Sequence, residues 1–112
     1  MRRKKKQLSL KLSREAELDL IEIHQWSRDQ FGKRIADNYL NFLEEQTRQI
    51  AWSFPNRTRS LTPLGMRWTM IKKNKSRQSA GHIVVLKVVG DTLVVVRYFH
   101  TSQDWESRLA ND

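Results

Sequence analysis

The sequence has no cysteine, no apolar run long enough to span a bilayer, and no acidic residue over a long central stretch. The missing cysteine excludes disulfide frameworks, thiolate zinc sites and cysteine nucleophiles, and is compatible with a reducing compartment. The longest apolar runs, Ile83–Leu86 and Leu93–Val96, are far shorter than a membrane helix requires. No apolar signal-peptide core follows the basic residues 2–6. We therefore expect a soluble, cytoplasmic protein with no membrane partner.

Motifs for phosphate loops, calcium sites, dinucleotide cofactors and kinases are also missing from the sequence. The three histidines, His24, His82 and His100, lack the spacing of metal ligands. No serine, histidine and acid fall into a recognisable nucleophile setting. The sequence therefore predicts no cofactor and no metal site, and it favours a protein that is not a conventional enzyme.

The composition is that of one folded domain. The chain has 112 residues, of which 38% are hydrophobic, and it includes four Trp, four Phe and two Tyr. These numbers allow a single hydrophobic core and leave little room for a second domain. We expect one domain over residues 8–109, preceded by a basic, flexible leader over residues 1–7.

Positive charge is concentrated in the middle of the chain. The formal net charge is +9, and residues 46–90 contain nine basic residues and no Asp or Glu. Such a stretch attracts a polyanion or an acidic protein, although a solvated loop without a specific partner remains an equal alternative. The candidate partner-binding residues are Arg67, Lys72, Lys73, Lys75, Arg77 and Lys87.

The first part of the chain reads as a strand followed by two helices. Leu8–Leu12 alternates apolar and polar residues, which predicts an edge strand. Ser13 is a suitable N-cap for a first helix, and Gly32 is suited to end it. Residues 35–50 have a second helical pattern, so the two helices must form an antiparallel hairpin. The predicted buried stripe of the first helix is Ala16, Leu20, Ile23 and Trp26.

The second part reads as strands. Residues 55–65 are predicted to be a loop, Met66–Ile71 a strand, and residues 72–81 a long basic hairpin loop. The β-branched runs His82–Val89 and Leu93–Phe99 indicate two central strands, and the tail from Thr101 to Leu109 a short helix capped by Thr or Ser. The predicted fold is therefore α+β, in the order β-α-α-β-β-β(-α), with a helical hairpin packed on a mainly antiparallel four-stranded sheet.

The turn between the last two strands leaves two registers open. A two-residue turn places Lys87 on the same face as Tyr98 and His100, with Arg97 on the other face. A three-residue turn instead places Lys87 and Arg97 on one face. The sequence does not decide between them.

Candidate chemistry is confined to the end of the last strand. Arg97 could stabilise charge on a phosphodiester, and His100 or Tyr98 could move a proton. The alternative is structural, with Tyr98 and Phe99 packing the sheet and Arg97 paired to a carboxylate of the helices. We favour the structural alternative for Tyr98 and Phe99, and leave Arg97 and His100 open.

These segments also resemble a known family. Leu10–Ile23 is similar to the first strand and helix of the RelE/ParE superfamily, the toxins of bacterial type II toxin–antitoxin modules. Phe31-Gly32, followed by Ala36 and Tyr39, resembles the helix junction of its ParE-like branch, and Val96–Trp105 resembles the last strand of that branch. The basic stretch Lys72–Gly81 and the leader residues 2–6 depart from the family pattern.

The resemblance implies a cognate antitoxin as partner and two alternative activities. ParE-like members inhibit DNA gyrase by binding, which blocks replication and needs no catalytic residue. RelE-like members cleave mRNA on the ribosome, and the candidates for that chemistry here are Lys72, Arg97 and His100. A third alternative is a non-catalytic nucleic-acid-binding module. Both ends of the chain resemble the ParE-like branch, so gyrase inhibition ranks first.

Overall fold

The helices and strands follow the order expected from the sequence, with one additional strand. The computed structural model describes residues 8–61, 65–73 and 81–111. The predicted leader, residues 1–7, lies outside them. The elements are β1 (Ser9–Leu12), α1 (Arg14–Phe31), α2 (Lys33–Ser53), β2 (Arg59–Leu61), β3 (Met66–Ile71), β4 (His82–Val89), β5 (Thr92–His100) and α3 (Trp105–Ala110).

The strands form one five-stranded sheet in the order β1-β5-β4-β3-β2. β1 pairs parallel to β5, and the other pairs are antiparallel. The predictions of an α+β fold, an edge position for β1 and central positions for β4 and β5 are confirmed. The expectation of four strands is wrong, because Arg59–Leu61 pairs with Met66–Trp68 as β2 inside the segment predicted to be a loop.

The main core lies between the helical hairpin and one face of the sheet. Leu43 and Ile50 of α2 are buried there against Leu86 and Val95 of the sheet, and Leu20 and Ile23 of α1 pack on the same cluster. On the opposite face, Trp105 and Leu109 of α3 pack over a smaller cluster of Ile83, Val85 and Phe99. The strands β4 and β5 are thus covered on both faces where these clusters lie.

Trp26 is not part of the core, contrary to the prediction. Its side chain is 56% exposed, whereas Ser27 is buried. The buried stripe of α1 advances by four residues from Ile23 and so reaches Ser27. Trp26 therefore lies outside the core, and its ring meets Phe31 edge to face at 5.8 Å. The tail helix also differs in detail, since its N-cap is Asp104 and not a Thr or Ser.

The β4–β5 hairpin has a two-residue turn, Gly90-Asp91, but its register changes part-way along. Leu86 pairs with Val95, whereas Val85 pairs with Arg97, so Val96 is an extra residue in β5. This β-bulge moves Tyr98 and His100 to the helix side of the sheet while Lys87 stays on the opposite face. Neither register considered from the sequence is therefore correct along the whole hairpin.

Ser13 connects the start of α1 to this bulge. Its Oγ accepts a hydrogen bond from the Ala16 N–H at 3.0 Å and donates one to the Val96 carbonyl at 2.7 Å. Because Ser13→Ala removes both bonds, we expect it to lower the free energy of unfolding by about 1–2 kcal/mol in urea titration. Ser9→Ala, at an exposed position of β1, is the control. Equal losses in the two variants would contradict this role of Ser13.

Candidate functional site

A cleft of about 390 Å³ lies where β5 ends, between α1 and the segment that leads into α3. The cleft forms here because the pairing of β1 with β5 ends at Val95, next to the bulge. Beyond that point, β5 lies beside α1 and no longer beside β1. The charged, polar and aromatic residues that line the cleft include Asp19, Glu22, Trp26, His82, Arg97, His100 and Arg108. Arg97 and His100, the two residues that sequence analysis left open, both line it.

Arg97 forms a two-point ion pair with Asp19 of α1. Its Nε donates to Asp19 Oδ2 at 2.8 Å and an Nη donates to Oδ1 at 2.9 Å. The two side chains are only 16% and 10% exposed. The backbone N–H of Tyr98 donates to the same carboxylate at 2.9 Å. The structural interpretation of Arg97, paired to a helix carboxylate, therefore describes what is observed.

The Arg97 guanidinium also lies over an aromatic ring. Its Cζ is 4.8 Å from the ring centroid of Phe99, which is buried below α3. A planar cation held by a carboxylate and a ring face has a fixed orientation. Arg97 thus ties α1 to β5 at the wall of the cleft.

His82, at the start of β4, is a buried neutral histidine. Burial, with a smaller contribution from the neighbouring His100, lowers the pKa of His82 to about 4. Its Nδ1 is 2.6 Å from the hydroxyl of Tyr39 on α2. Burial raises the pKa of Tyr39 to about 12, so both partners of this bond are neutral at neutral pH.

His100 is the more accessible of the two histidines. The Ser102 backbone N–H donates to its Nδ1 at 3.1 Å, which places the proton of the neutral imidazole on Nε2. Its ring packs edge to face on His82 at 5.3 Å. Of the residues proposed for proton transfer, His100 is thus the one with both access to the cleft and a defined tautomer.

Tyr98 has a structural role. Its hydroxyl is buried 2.7 Å from Thr47 Oγ1, which donates to the Leu43 carbonyl and so accepts from the tyrosine. Burial raises the pKa of Tyr98 to about 12. A phenol fixed in this way inside the core is not placed to move a proton in the cleft. The predicted packing roles of Tyr98 and Phe99 agree with their burial.

The predicted partner-binding residues lie at two ends of the sheet. Lys72 is at the cleft end of the sheet, because it follows Ile71, which pairs with His82. The Nζ of Lys73 lies 6.0 Å from the ring centroid of Phe42. Arg67 and Lys87 are at the other end of β3 and β4. Arg67 donates to Thr58 through Nε at 2.6 Å and through Nη2 at 2.9 Å. Lys75 and Arg77 lie outside the described residues.

Sequence analysis did not identify Asp19 as a residue of this site. The spacing contains a usable signal, because Asp19 lies three residues after Ala16 and four before Ile23, on the buried stripe. An acid in that position requires a buried cation. Nothing in the sequence around His82 or Tyr39 indicates that they meet.

Two kinds of site are absent from the part of the chain that the structure describes. No three His, Asp or Glu side chains there come together as a group that could hold a metal ion. Within the same residues, no helix has the length and apolar character needed to cross a membrane.

Comparison with known proteins agrees with this architecture. Residues 10–105 match the family model of the ParE toxin of the type II toxin–antitoxin system parDE. A structure of the chromosomal ParDE system from P. aeruginosa superposes with a TM-score of 0.71 at 19% identity, over 85% of this chain and 97% of that one. No match to a curated protein was found.

A second solved structure shows the same fold. It is the solution structure of a conserved hypothetical protein from Helicobacter pylori, with a TM-score of 0.56 at 20% identity. The match covers 86% of this chain and 97% of the other. At these identities the two structures establish similarity of fold.

Proposed function

Because the chain belongs to the ParE toxin family of type II toxin–antitoxin systems, we propose that it inhibits DNA gyrase by binding and is neutralised by a cognate antitoxin in the cytoplasm. The family assignment identifies the protein as a toxin of such a system. The gyrase target and the antitoxin are the proposed steps.

The observation that supports a binding mechanism is the engagement of Arg97. A nuclease would need this guanidinium directed at a phosphate, where it would stabilise developing negative charge. Here Asp19 already supplies a negative charge to it through two hydrogen bonds, in a largely buried pair. Recruiting Arg97 to a phosphate would leave the Asp19 carboxylate buried without its cation, which is strongly unfavourable.

One arrangement favours the alternative, a RelE-like ribosome-dependent endonuclease. Lys72 and His100 lie at the same end of the sheet, joined through the Ile71–His82 and His82–His100 pairs. A cation and an accessible imidazole are two of the groups that phosphodiester cleavage uses. The third alternative, a nucleic-acid-binding module, would need only the positive surface.

We propose that positive charge guides partner binding at both ends of the sheet. The proposed residues are Arg67, Lys72, Lys73 and Lys87, together with Lys75 and Arg77 outside the described residues. Exposed positive charge speeds association with an acidic surface, and added salt weakens the effect.

To test this, supercoiling by purified gyrase is measured in the presence of the toxin, and mRNA integrity is measured in cells that express it. We expect blocked supercoiling and intact mRNA. We also expect His100→Ala to retain growth arrest within a few-fold, because a binding mechanism needs no proton transfer there. Asn38→Ala, at an exposed position of α2, is the surface control. If His100→Ala lowers toxicity, measured as growth arrest, by about 100-fold or more, and the wild type causes ribosome-dependent mRNA cuts, the nuclease is established instead. Salt-sensitive nucleic-acid binding with neither effect would support the third alternative.

A further inference from the structure

The outer edge of β1 has free backbone hydrogen-bonding groups. β1 lies at one end of the strand order and pairs with β5 alone. The N–H groups of Ser9 and Ser13 donate to carbonyls on the β5 side at 3.0 and 2.9 Å. Because bonding directions alternate along a strand, the N–H and C=O groups of Leu10 and Leu12 point the other way. No other strand among the described residues pairs with that side, so it is an open edge.

A large aromatic side chain lies beside this open edge. Trp52, near the end of α2, is 70% exposed, which is the highest value among the large hydrophobic residues of the described chain. It lines a groove of about 570 Å³ together with Leu8 and Leu10. A free strand edge beside an uncovered indole offers a partner strand both backbone hydrogen bonds and apolar area.

The opposite edge of the sheet, β2, is better protected. It is three residues long, and its Arg59 guanidinium lies 5.7 Å from the ring centroid of Trp68. Short strands and charged side chains are common protections against edge pairing. β1 has one charged residue, Lys11, which alternates with the core-packed Leu10 and Leu12 and so points to the sheet face opposite α2. Its charge therefore does not cover the groove beside Trp52.

We propose that two copies of this chain associate through their β1 edges and form one continuous sheet. Two identical antiparallel strands are related by a twofold axis perpendicular to the sheet, so both helical hairpins lie on the same side of it. Trp52 of each copy then faces the other copy across the groove. This inference goes beyond the proposed function and does not depend on it.

Lys11 selects the register of the pairing. If the axis passed through Lys11, the two lysines would lie directly opposite each other, which is destabilising. If it passes through Leu10, Lys11 lies opposite Ser9 of the second copy. The two Leu10 residues then exchange both of their outward backbone hydrogen bonds. Leu10 also lies between Leu8 and Leu12, so this register uses the whole length of the edge.

The charges beside the groove suit a second copy better than an acidic partner. Glu45 and Arg48 of α2 line the groove and pair with each other at 2.7 Å, so this surface has no excess of positive charge. A twofold interface brings the same patch together from both sides and must be self-complementary. An acid and a base on one patch meet this requirement, because Arg48 of each copy can face Glu45 of the other.

The experiment measures the association state of the purified toxin by sedimentation equilibrium. We expect a monomer–dimer equilibrium with a dissociation constant of about 10 μM, because the interface is small. Each copy has a formal net charge of +9, so added salt screens the repulsion and is expected to strengthen the dimer. Salt would instead weaken the binding of an acidic partner.

Two tryptophan variants with the same change of charge test the location of the contact. We expect Trp52→Glu to weaken the dimer about 10-fold or more, since it places a charge in the centre of the apolar contact. The matched control is Trp26→Glu on α1, where the side chain is 56% exposed and lies at the cleft. We expect that variant to change the dissociation constant by less than about 3-fold. Thermal unfolding shows whether each variant is folded.

Single cysteines test the register, because the natural chain has none. In a hydrogen-bonded antiparallel pair the Cα atoms are about 5.5 Å apart, a distance that a disulfide spans. We therefore expect Leu10→Cys to form a cross-linked dimer on mild oxidation. Ser60→Cys, an exposed position on the β2 edge, is the control and is expected to stay unlinked. Preferential cross-linking of Lys11→Cys would overturn the register centred on Leu10.

The remaining outcomes overturn the inference. A wild type that stays monomeric up to about 100 μM at low and high salt would show that the copies do not associate. A dimer that a folded Trp52→Glu leaves unchanged would place the contact elsewhere. If the wild type is monomeric and Trp52→Glu weakens binding of the antitoxin, the edge belongs to the antitoxin. Each of these results leaves the proposed gyrase target untouched.

Discussion

Replacing Arg97 by alanine is expected to lower the free energy of unfolding by about 3–5 kcal/mol. The reason is the carboxylate that remains, because Asp19 is 10% exposed and loses the cation that holds both of its oxygens. A domain of this size has a total stability of about 5–15 kcal/mol, so the expected loss is a large fraction of the total. Urea or thermal unfolding of the purified toxin measures the loss.

An exposed ion pair provides the control for Arg97→Ala. Arg48 pairs with Glu45 on α2, with the two side chains 60% and 53% exposed. We expect Arg48→Ala to cost less than about 1 kcal/mol. Arg97→Ala with unchanged stability and unchanged antitoxin affinity, but without growth arrest, would contradict the structural role and place the guanidinium at the target.

The double variant Arg97→Ala/Asp19→Asn, compared with each single variant, tests the physical explanation. If the cost in Arg97→Ala comes from the orphaned carboxylate, removing the charge of Asp19 at the same time restores part of the stability. Purely additive losses in the single and double variants would mean that the two side chains act independently. Growth arrest by these variants is informative only at temperatures where each is folded.

The second large effect is a loss of stability in mild acid caused by His82. Its pKa is lowered to about 4 in the folded protein, mainly by burial, whereas the unfolded chain takes up the proton near 6.5. The contribution of His82 is therefore fully present above pH 6.5 and is lost as the pH falls towards 4. The two values correspond to roughly 3 kcal/mol over this range.

Carboxylates also titrate in part of this range, so the contribution of His82 is obtained by comparison with His82→Asn. The asparagine cannot be protonated, and its Oδ1 can still accept from the Tyr39 hydroxyl. We expect the variant to lose less stability between pH 6.5 and 4 than the wild type. Direct NMR titration of the imidazole provides a second measurement. A His82 ring that titrates near 6.5, or equal pH slopes in the two proteins, would contradict the burial argument.

The cleft shows how a correct local prediction can leave the chemistry open. Sequence analysis identified the end of the last strand, with Arg97 and His100, as the place where side chains of functional interest meet. Both line the cleft. Their partners come from far along the chain, because Asp19 is 78 residues from Arg97 and Tyr39 is 43 residues from His82. Spacing along the chain contains no direct information on such pairs.

The sequence by itself determined the elements whose signals are local. The Ser13 cap, the helical periodicity and Gly32 define the helical hairpin, and the β-branched runs define β4 and β5. The order of these elements was sufficient to predict an α+β fold. The resemblance to the RelE/ParE superfamily came from the residues of Leu10–Ile23, Phe31-Gly32 and Val96–Trp105. These signals are strong because they depend on backbone geometry within a few residues.

Tertiary structure alone decided what depends on strand pairing. The short β2 exists because β3 offers it an edge, and three residues such as Arg59–Leu61 have no strand signal of their own. The extra residue Val96 in β5 reverses the faces of Tyr98 and His100 relative to Lys87. Because side chains alternate with every residue of a strand, one bulge changes which of them lie on the helix side of the sheet and which lie on the opposite face. That bulge is specified by packing between distant segments, with Ser13 bonded to Val96 across 83 residues, and no local pattern in the sequence encodes it.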